Sequence, residues 1–264
     1  HMSKLFDPSS ERSVTVALDH GLSLGAVDGF RDPEATLQRV LDGQPDGVLV
    51  GPHFARHHQE QLESSDVSVA ITTDVITFST RPGQEERQDV WTPAFDVDSF
   101  LDLDPAGVKM ILCFGRDDRG MFCRNIEAVS KTAEALRGTG VPFIVEPVMW
   151  GERIPDRTET DPDYVERAAR MAWEYGADIL KIPYTGSIES FEPIAQNSPV
   201  PVLILGGPAS GMTGEILRDV EESVAAGGQG LVIGRSIWKA EDPTAVIGAM
   251  NEIVHEGASV EDVW

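Results

Sequence analysis

The segment Asp161-Pro-Asp-Tyr-Val-Glu-Arg-Ala-Ala-Arg-Met-Ala-Trp-Glu-Tyr-Gly176-Ala-Asp-Ile-Leu-Lys-Ile-Pro183 contains one whole structural unit. Asp161 offers a side-chain oxygen to the free N–H groups of a helix start, and Pro162 has the φ that a first helical turn needs. The apolar face then recurs through Tyr164, Ala168, Met171, Ala172 and Tyr175, and Gly176 closes the helix. Ile179-Leu-Lys-Ile182 follows at once, an apolar run of the kind found in strands covered on both faces. A helix feeding directly into such a strand is the repeating element of an α/β chain with a parallel sheet.

The same alternation extends in both directions. Eight β-rich runs are present: 14–18, 47–50, 67–71, 108–112, 143–145, 179–182, 202–205 and 231–233. Asp32-Pro33 and Asp242-Pro243 open two further helices with the same cap-then-proline entry. Residues 73–106 form a long connection rich in Thr, Pro and Asp, expected to hold extra strand or loop structure. Gly206-Gly-Pro-Ala-Ser-Gly211 does not fit a dinucleotide fingerprint, because Pro208 stands where the second glycine belongs. Eight βα units in 264 residues predict a closed (β/α)8 barrel, a fold typically of about 250 residues. One domain over 1–264 is expected, with His1-Met2 an expression remnant.

Composition excludes several classes. No apolar stretch approaches the ~20 residues of a membrane span. Cys113 and Cys123 are too few for a disulfide scaffold or a cysteine zinc site. There are 44 Asp and Glu against 21 Lys and Arg, for a net charge of −23. Nucleic acid and anionic membranes are therefore not expected as partners. Only Lys4, Lys109, Lys131, Lys181 and Lys239 are lysines. An acidic, lysine-poor chain of this kind resembles proteins of salt-rich cytoplasm, where the Debye length falls to about 3 Å at 1 M salt.

In a barrel, catalytic groups sit at the C-terminal ends of the strands. That rule selects Asp19-His20-Gly21 after the first run, Lys109 in the fourth, Glu146 ending the fifth, Lys181 in the sixth, Gly206-Gly207 after the seventh and Gly234-Arg235 after the eighth. Lys181 is the sharpest signal, being a lysine inside an apolar strand. Desolvation and a second cation, here Lys109, make an amine nucleophilic towards carbonyls. Glu146 either pairs with a lysine or shuttles protons. Asp19 either bonds substrate or holds Lys181 and His20 in place, and His20 either touches substrate or caps and packs. The glycine pairs suit close approach of backbone N–H groups to phosphate, with Arg235 as a bidentate donor.

Other residues carry less. His53, His57 and His58 have helical spacing, but no matching carboxylate or cysteine stands nearby, so a solvated helix face is expected rather than a metal site. Cys113 reads as core. Trp91, Trp150, Tyr184 and Trp238 fall near strand ends or in the long connection, and any of them suits a pocket wall.

Together these motifs resemble the class I, Schiff-base aldolase superfamily, over residues 13–255. Ala17-Leu-Asp-His-Gly21 looks like the first-strand motif of archaeal-type fructose-bisphosphate aldolases and of aminodideoxyheptulosonate synthases. Ala177-Asp-Ile-Leu-Lys-Ile-Pro183 looks like the Schiff-base strand. Leu205-Gly-Gly-Pro208 and Ile233-Gly-Arg-Ser-Ile-Trp238 look like the phosphate-binding corner. Archaeal-type members carry a tyrosine near the end of strand five, whereas Val145-Glu-Pro-Val-Met-Trp-Gly151 has none. That stretch and Gly107-Val-Lys-Met-Ile-Leu112 resemble instead the tagatose-bisphosphate and sulfofructose-phosphate aldolases.

The resemblance implies a TIM-barrel aldehyde-lyase in which Lys181 forms an iminium with a ketose phosphate. Glu146 would move protons, with Tyr184 the next choice, and Lys109 would keep Lys181 partly neutral. Asp19 and His20 would orient substrate, while Gly206, Gly207, Gly234 and Arg235 hold phosphate. It implies no metal or other cofactor, a cytoplasmic homo-oligomer, and a sugar phosphate as partner. Three alternatives remain: a transferase using the same Schiff base, a phosphosugar isomerase on the same barrel, and a degenerate barrel kept as an assembly subunit.

Overall fold

Eight parallel strands close on themselves in the computed structural model, which describes residues 4–76, 91–151, 153–155, 158–206 and 213–264. In chain order the strands are β1 (Ser13–Ala17), β2 (Gly47–Val50), β3 (Ser68–Thr72), β4 (Asp74–Ile76), β5 (Trp91–Pro93), β6 (Gly107–Phe114), β7 (Phe143–Met149), β8 (Ile179–Pro183), β9 (Val202–Leu205) and β10 (Gly230–Ile233). The barrel runs β1-β10-β9-β8-β7-β6-β3-β2 around its circumference. All eight expected runs are barrel strands. β4 and β5 form a separate antiparallel pair inside the long connection. Positions 77–90 of that connection lie outside the described residues.

Local chemistry sets the helix starts as expected. Asp32, Asp161 and Asp242 accept hydrogen bonds from the backbone N–H of Ala35, Asp163 and Ala245, each with proline in the first turn. Gly176 sits at φ 108°, a left-handed conformation that follows the helix Pro162–Glu174 and that a Cβ would strain.

Two boundaries differ from expectation. The fifth barrel strand, β7, runs on to Met149, so Glu146 lies in mid-strand, paired in register with Ile111 rather than ending the strand. Pro147 fits there because the apolar run continues beyond it. The histidine triplet is also not one solvated face. The helix Pro52–His57 stops at His57, and His58 is buried with its ring 4.4 Å from that of Phe54.

Side chains alternate across each strand, so one face of every strand lines the barrel and the other meets the helices. The outer faces and the helices build the larger apolar core. Inside, Ala17, Leu49, Ala70, Ile144, Ile179, Leu203 and Val232 pack with Leu5 and Phe6, which plug one end. A Cβ on Gly47 would lie 2.6 Å from Leu5, and one on Gly107 would lie 3.0 Å from it. Glycine at those positions admits the plug. Two residues further along their strands, roughly 6.6 Å higher, Asp19, Glu146 and Lys181 follow Ala17, Ile144 and Ile179. The polar site therefore rests on a dry apolar floor.

Candidate active site

Lys181 on β8 and Lys109 on β6 are both buried, on either side of β7. Glu146 projects from β7 between them, with its Oε2 2.9 Å from Nζ of Lys181 and 3.2 Å from Nζ of Lys109. Asp19, just past β1, places Oδ2 3.6 Å from the Lys109 ammonium. Asp74, the first residue of β4, places Oδ1 3.8 Å from the same ammonium. These residues line a cavity of about 60 Å³ together with His20, Leu22, Ser23, Ile76, Ile111 and Trp150.

The charges are mutually determined. Burial pushes the carboxyl of Glu146 up, but Lys181 and Lys109 outweigh it and hold the group below the usual carboxylate range. The same competition holds Asp19 low, with Lys109, His20 and Lys181 as the opposing charges. Lys109 is depressed by burial, yet Glu146, Asp74 and Asp19 more than compensate and fix it as an ammonium. Asp74 is the exception: burial dominates and lifts it to about 6. His20 is driven down to about 4, chiefly by burial, with Lys181 and Arg235 adding to the shift against the pull of Asp19. It is neutral at physiological pH.

Lys109 is thus a nearby cation to Lys181, as expected, with the Glu146 carboxylate paired to both. A shared carboxylate stands between them. His20 occupies the capping position of the turn Gly21–Leu24 without a side-chain cap bond, and its ring meets Trp238 edge-on at 5.5 Å. Packing rather than capping is its structural role.

The expected phosphate corner is only partly joined to this cavity. Gly206 follows β9 directly, and its Cβ position would meet Ile233 at 2.9 Å. Gly207 lies outside the described residues. Gly234 ends β10, where a Cβ would lie 2.4 Å from the Ala17 carbonyl oxygen and 2.6 Å from His20. Close packing alone thus demands glycine at 234. Arg235 opens the short helix Arg235–Trp238 next to this point but does not line the cavity.

Tyr184 points elsewhere. Its hydroxyl donates to Glu222 Oε2 at 2.5 Å, on the helix Thr213–Ala225, and its ring packs against Phe191. It does not line the cavity, which argues against it as a proton shuttle. Cys113 is buried core, as expected. Among the described residues, no group of three or more His, Cys, Asp or Glu has the arrangement to hold a metal ion. Among them too, no helix is long and apolar enough to cross a membrane.

Asp74 is the residue that sequence reasoning passes over. It closes Thr72-Thr73-Asp74 immediately after the third apolar run, so the strand-end rule applied to that run would find it.

Known proteins share this arrangement of chain. Residues 13–240 match the model of the DeoC/LacD family aldolases. The chain is 30% identical over 260 residues to an uncharacterized aldolase of Saccharolobus solfataricus, covering 98% of this chain and 94% of that one. It is 30% identical over 254 residues to 2-amino-3,7-dideoxy-D-threo-hept-6-ulosonate synthase of Halobacterium salinarum, covering 96% and 90%. An archaeal fructose-1,6-bisphosphate aldolase, solved with its catalytic lysine covalently bound to the carbinolamine intermediate, superposes with a TM-score of 0.80 at 25% identity, covering 96% of this chain and 97% of that one. The chain belongs to the DeoC/LacD family of class I aldolases, aldehyde-lyases whose chemistry runs through a lysine Schiff base.

Proposed function

We propose that Lys181 is the Schiff-base lysine and that the substrate is a ketose phosphate, of the fructose-bisphosphate kind or of the tagatose- or sulfofructose-phosphate kind. The observation that carries this reading is the buried Lys181 ammonium 2.9 Å from a carboxylate held in its ionised form. Glu146 takes a proton from Lys181, and the free amine adds to the ketose carbonyl. The same carboxyl returns the proton as the carbinolamine hydroxyl leaves as water. The resulting iminium accepts the electron pair of the breaking C–C bond and leaves an enamine, while the aldehyde's hydroxyl proton passes to Glu146. Polarisation by the iminium does what a metal ion does in other aldolases, so no metal takes part in this scheme.

Lys109 holds Glu146 and Asp19 in place by charge, and Asp19 with His20 orients the substrate. The cavity of about 60 Å³ has room for a few groups of water size and not for a whole ketose bisphosphate. The reacting carbonyl thus goes in first, and the phosphate remains outside towards Arg235, Gly206 and Gly234. A second reading, a transferase that joins two carbon units through the same Schiff base, is favoured by the similarity to the Halobacterium salinarum synthase. A salt-rich cytoplasm fits the charge of −23, and the homo-oligomer rests on the family resemblance alone.

Borohydride reduction with a panel of ketose phosphates, read by intact mass and peptide mapping, tests the assignment. The expected result is one reduced adduct at Lys181 that Lys181→Met abolishes. Trapping that survives in Lys181→Met refutes it.

A further inference from the structure

Asp74 holds two oxygens in opposite situations. Oδ2 accepts hydrogen bonds from Trp91 Nε1 at 2.7 Å and from the Ile111 backbone N–H at 2.8 Å. These fix the carboxyl rigidly. Oδ1 is fully buried and has no hydrogen-bond partner. A buried acceptor left in that state is costly, so an unmade bond in a native site calls for an explanation. The Lys109 ammonium does not supply it: at 3.8 Å it lies beyond hydrogen-bond length. Thr72 Oγ1, two residues earlier on the inward face of β3, is also buried without a partner.

The gap has a definite chemical complement. A group placed about 2.8 Å from both atoms must accept from the Lys109 N–H and donate to Asp74 Oδ1. A hydroxyl, of a substrate or of the water it displaces, does both, whereas a carbonyl, a phosphate oxygen or a methylene does not. Asp74 lines the same cavity as Lys181, so such a hydroxyl belongs to a molecule bound there.

We propose that Asp74 is a specificity-determining residue, whose Oδ1 receives a substrate hydroxyl, shared with Lys109, borne on a carbon close to the carbonyl that Lys181 attacks. This rests on the reading of Lys181 as the Schiff-base residue and assigns one of the hydroxyls beside the reacting centre to Asp74. The two fixed N–H donors on Oδ2 make the acceptor preorganised, and the pair is left unsatisfied by a substrate lacking the hydroxyl.

The test compares a ketose phosphate that traps at Lys181, fructose 1,6-bisphosphate first, with its 3-deoxy and 4-deoxy analogues in borohydride trapping, and with the 3-deoxy analogue alone in kcat/KM, since cleavage itself consumes the C4 hydroxyl proton. Wild type is expected to disfavour at least one deoxy analogue by roughly 10–100-fold, with adducts of all three still mapping to Lys181. In Asp74→Ala that preference should fall to a few-fold, mostly through KM for the hydroxylated compound. Asp74→Asn, which keeps an oxygen for Trp91 and Ile111 but turns an amide donor to the gap, should do the same while preserving the fold. A folded Asp74→Asn that keeps the full preference overturns the proposal, as does a wild type that shows none. Failure of every ketose phosphate in the panel to trap at Lys181 would instead refute the Schiff-base reading, so the two failures are distinguishable.

Discussion

Lys109 and Lys181, on strands separated by β7, are joined through a single atom, Oε2 of Glu146. Two ammonium groups thus compete for one carboxylate oxygen, and all three side chains are buried. Lys109 has two further carboxylates beside it, Asp19 and Asp74, while among the described residues Glu146 is the one carboxylate that forms an ion pair with Lys181. Lys109, compensated from three directions, is held as an ammonium.

Glu146→Gln keeps the shape of the side chain and removes its proton transfer. Turnover should fall by about 10²–10⁴-fold, the usual worth of general acid–base help. Borohydride trapping at Lys181 should remain measurable over longer incubation. A variant within a few-fold of wild-type kcat would place the proton shuttle on another group.

Lys109→Met leaves Asp19, Asp74 and Glu146 with only Lys181 to balance them. Removing one partner of a buried ion network costs about 3–5 kcal/mol. Urea unfolding at pH 7 should show a loss in that range. A loss below about 1 kcal/mol would mean that water already reaches these charges.

Arg235→Ala checks the phosphate corner. Truncating one member of a desolvated charged contact costs about 2–5 kcal/mol, here in kcat/KM for phosphorylated ketoses. The unphosphorylated sugars should change far less. Equal losses for both kinds of substrate would remove the phosphate role from Arg235.

His255 reports on stability at some distance from the chemistry. Its Nε2 lies 3.0 Å from Asp46 Oδ2, and its Nδ1 meets Ser10 Oγ at 2.7 Å. The Asp46 hydrogen bond raises its pKa above 6.5, against the opposing effect of burial. A raised folded-state pKa stabilises fully below the unfolded value, and that contribution is lost as pH rises through the folded one. The melting temperature of wild type should therefore exceed that of His255→Gln by more at pH 5.5 than at pH 8.5. The same margin at both would show that protonation of His255 adds nothing.

Much of the fold and the centre of the site are legible in the amino-acid sequence. The eight apolar runs are barrel strands because their outer faces meet helices and their inner faces meet each other, so water-facing residues are excluded from both. The Asp-Pro entries start helices because cap and φ are properties of two adjacent residues. Lys181, Lys109 and Glu146 stand out because an ionisable group inside an apolar strand costs too much without partners.

The remainder depends on contacts between residues distant along the chain. Glu146 reads as a strand end because the apolar run 143–145 stops before it, yet β7 continues to Met149 since β6 pairs with it as far as Phe114. Tyr184 reads as a second proton shuttle, but packing turns its hydroxyl to Glu222, 38 positions away. Gly234 reads as a phosphate glycine, and the tertiary structure adds a steric demand set by Ala17 and His20, more than 200 residues earlier. Asp74 is one acid in a polar connection, marked only by following the third run. It becomes a site residue when barrel closure places β6, and Lys109 with it, beside β3. Strand identity and helix caps are determined by local composition and periodicity. Which ionisable groups share a cavity, and so which are charged, is determined by closure of the barrel, because electrostatic coupling depends on separation in space and on the water excluded between the groups.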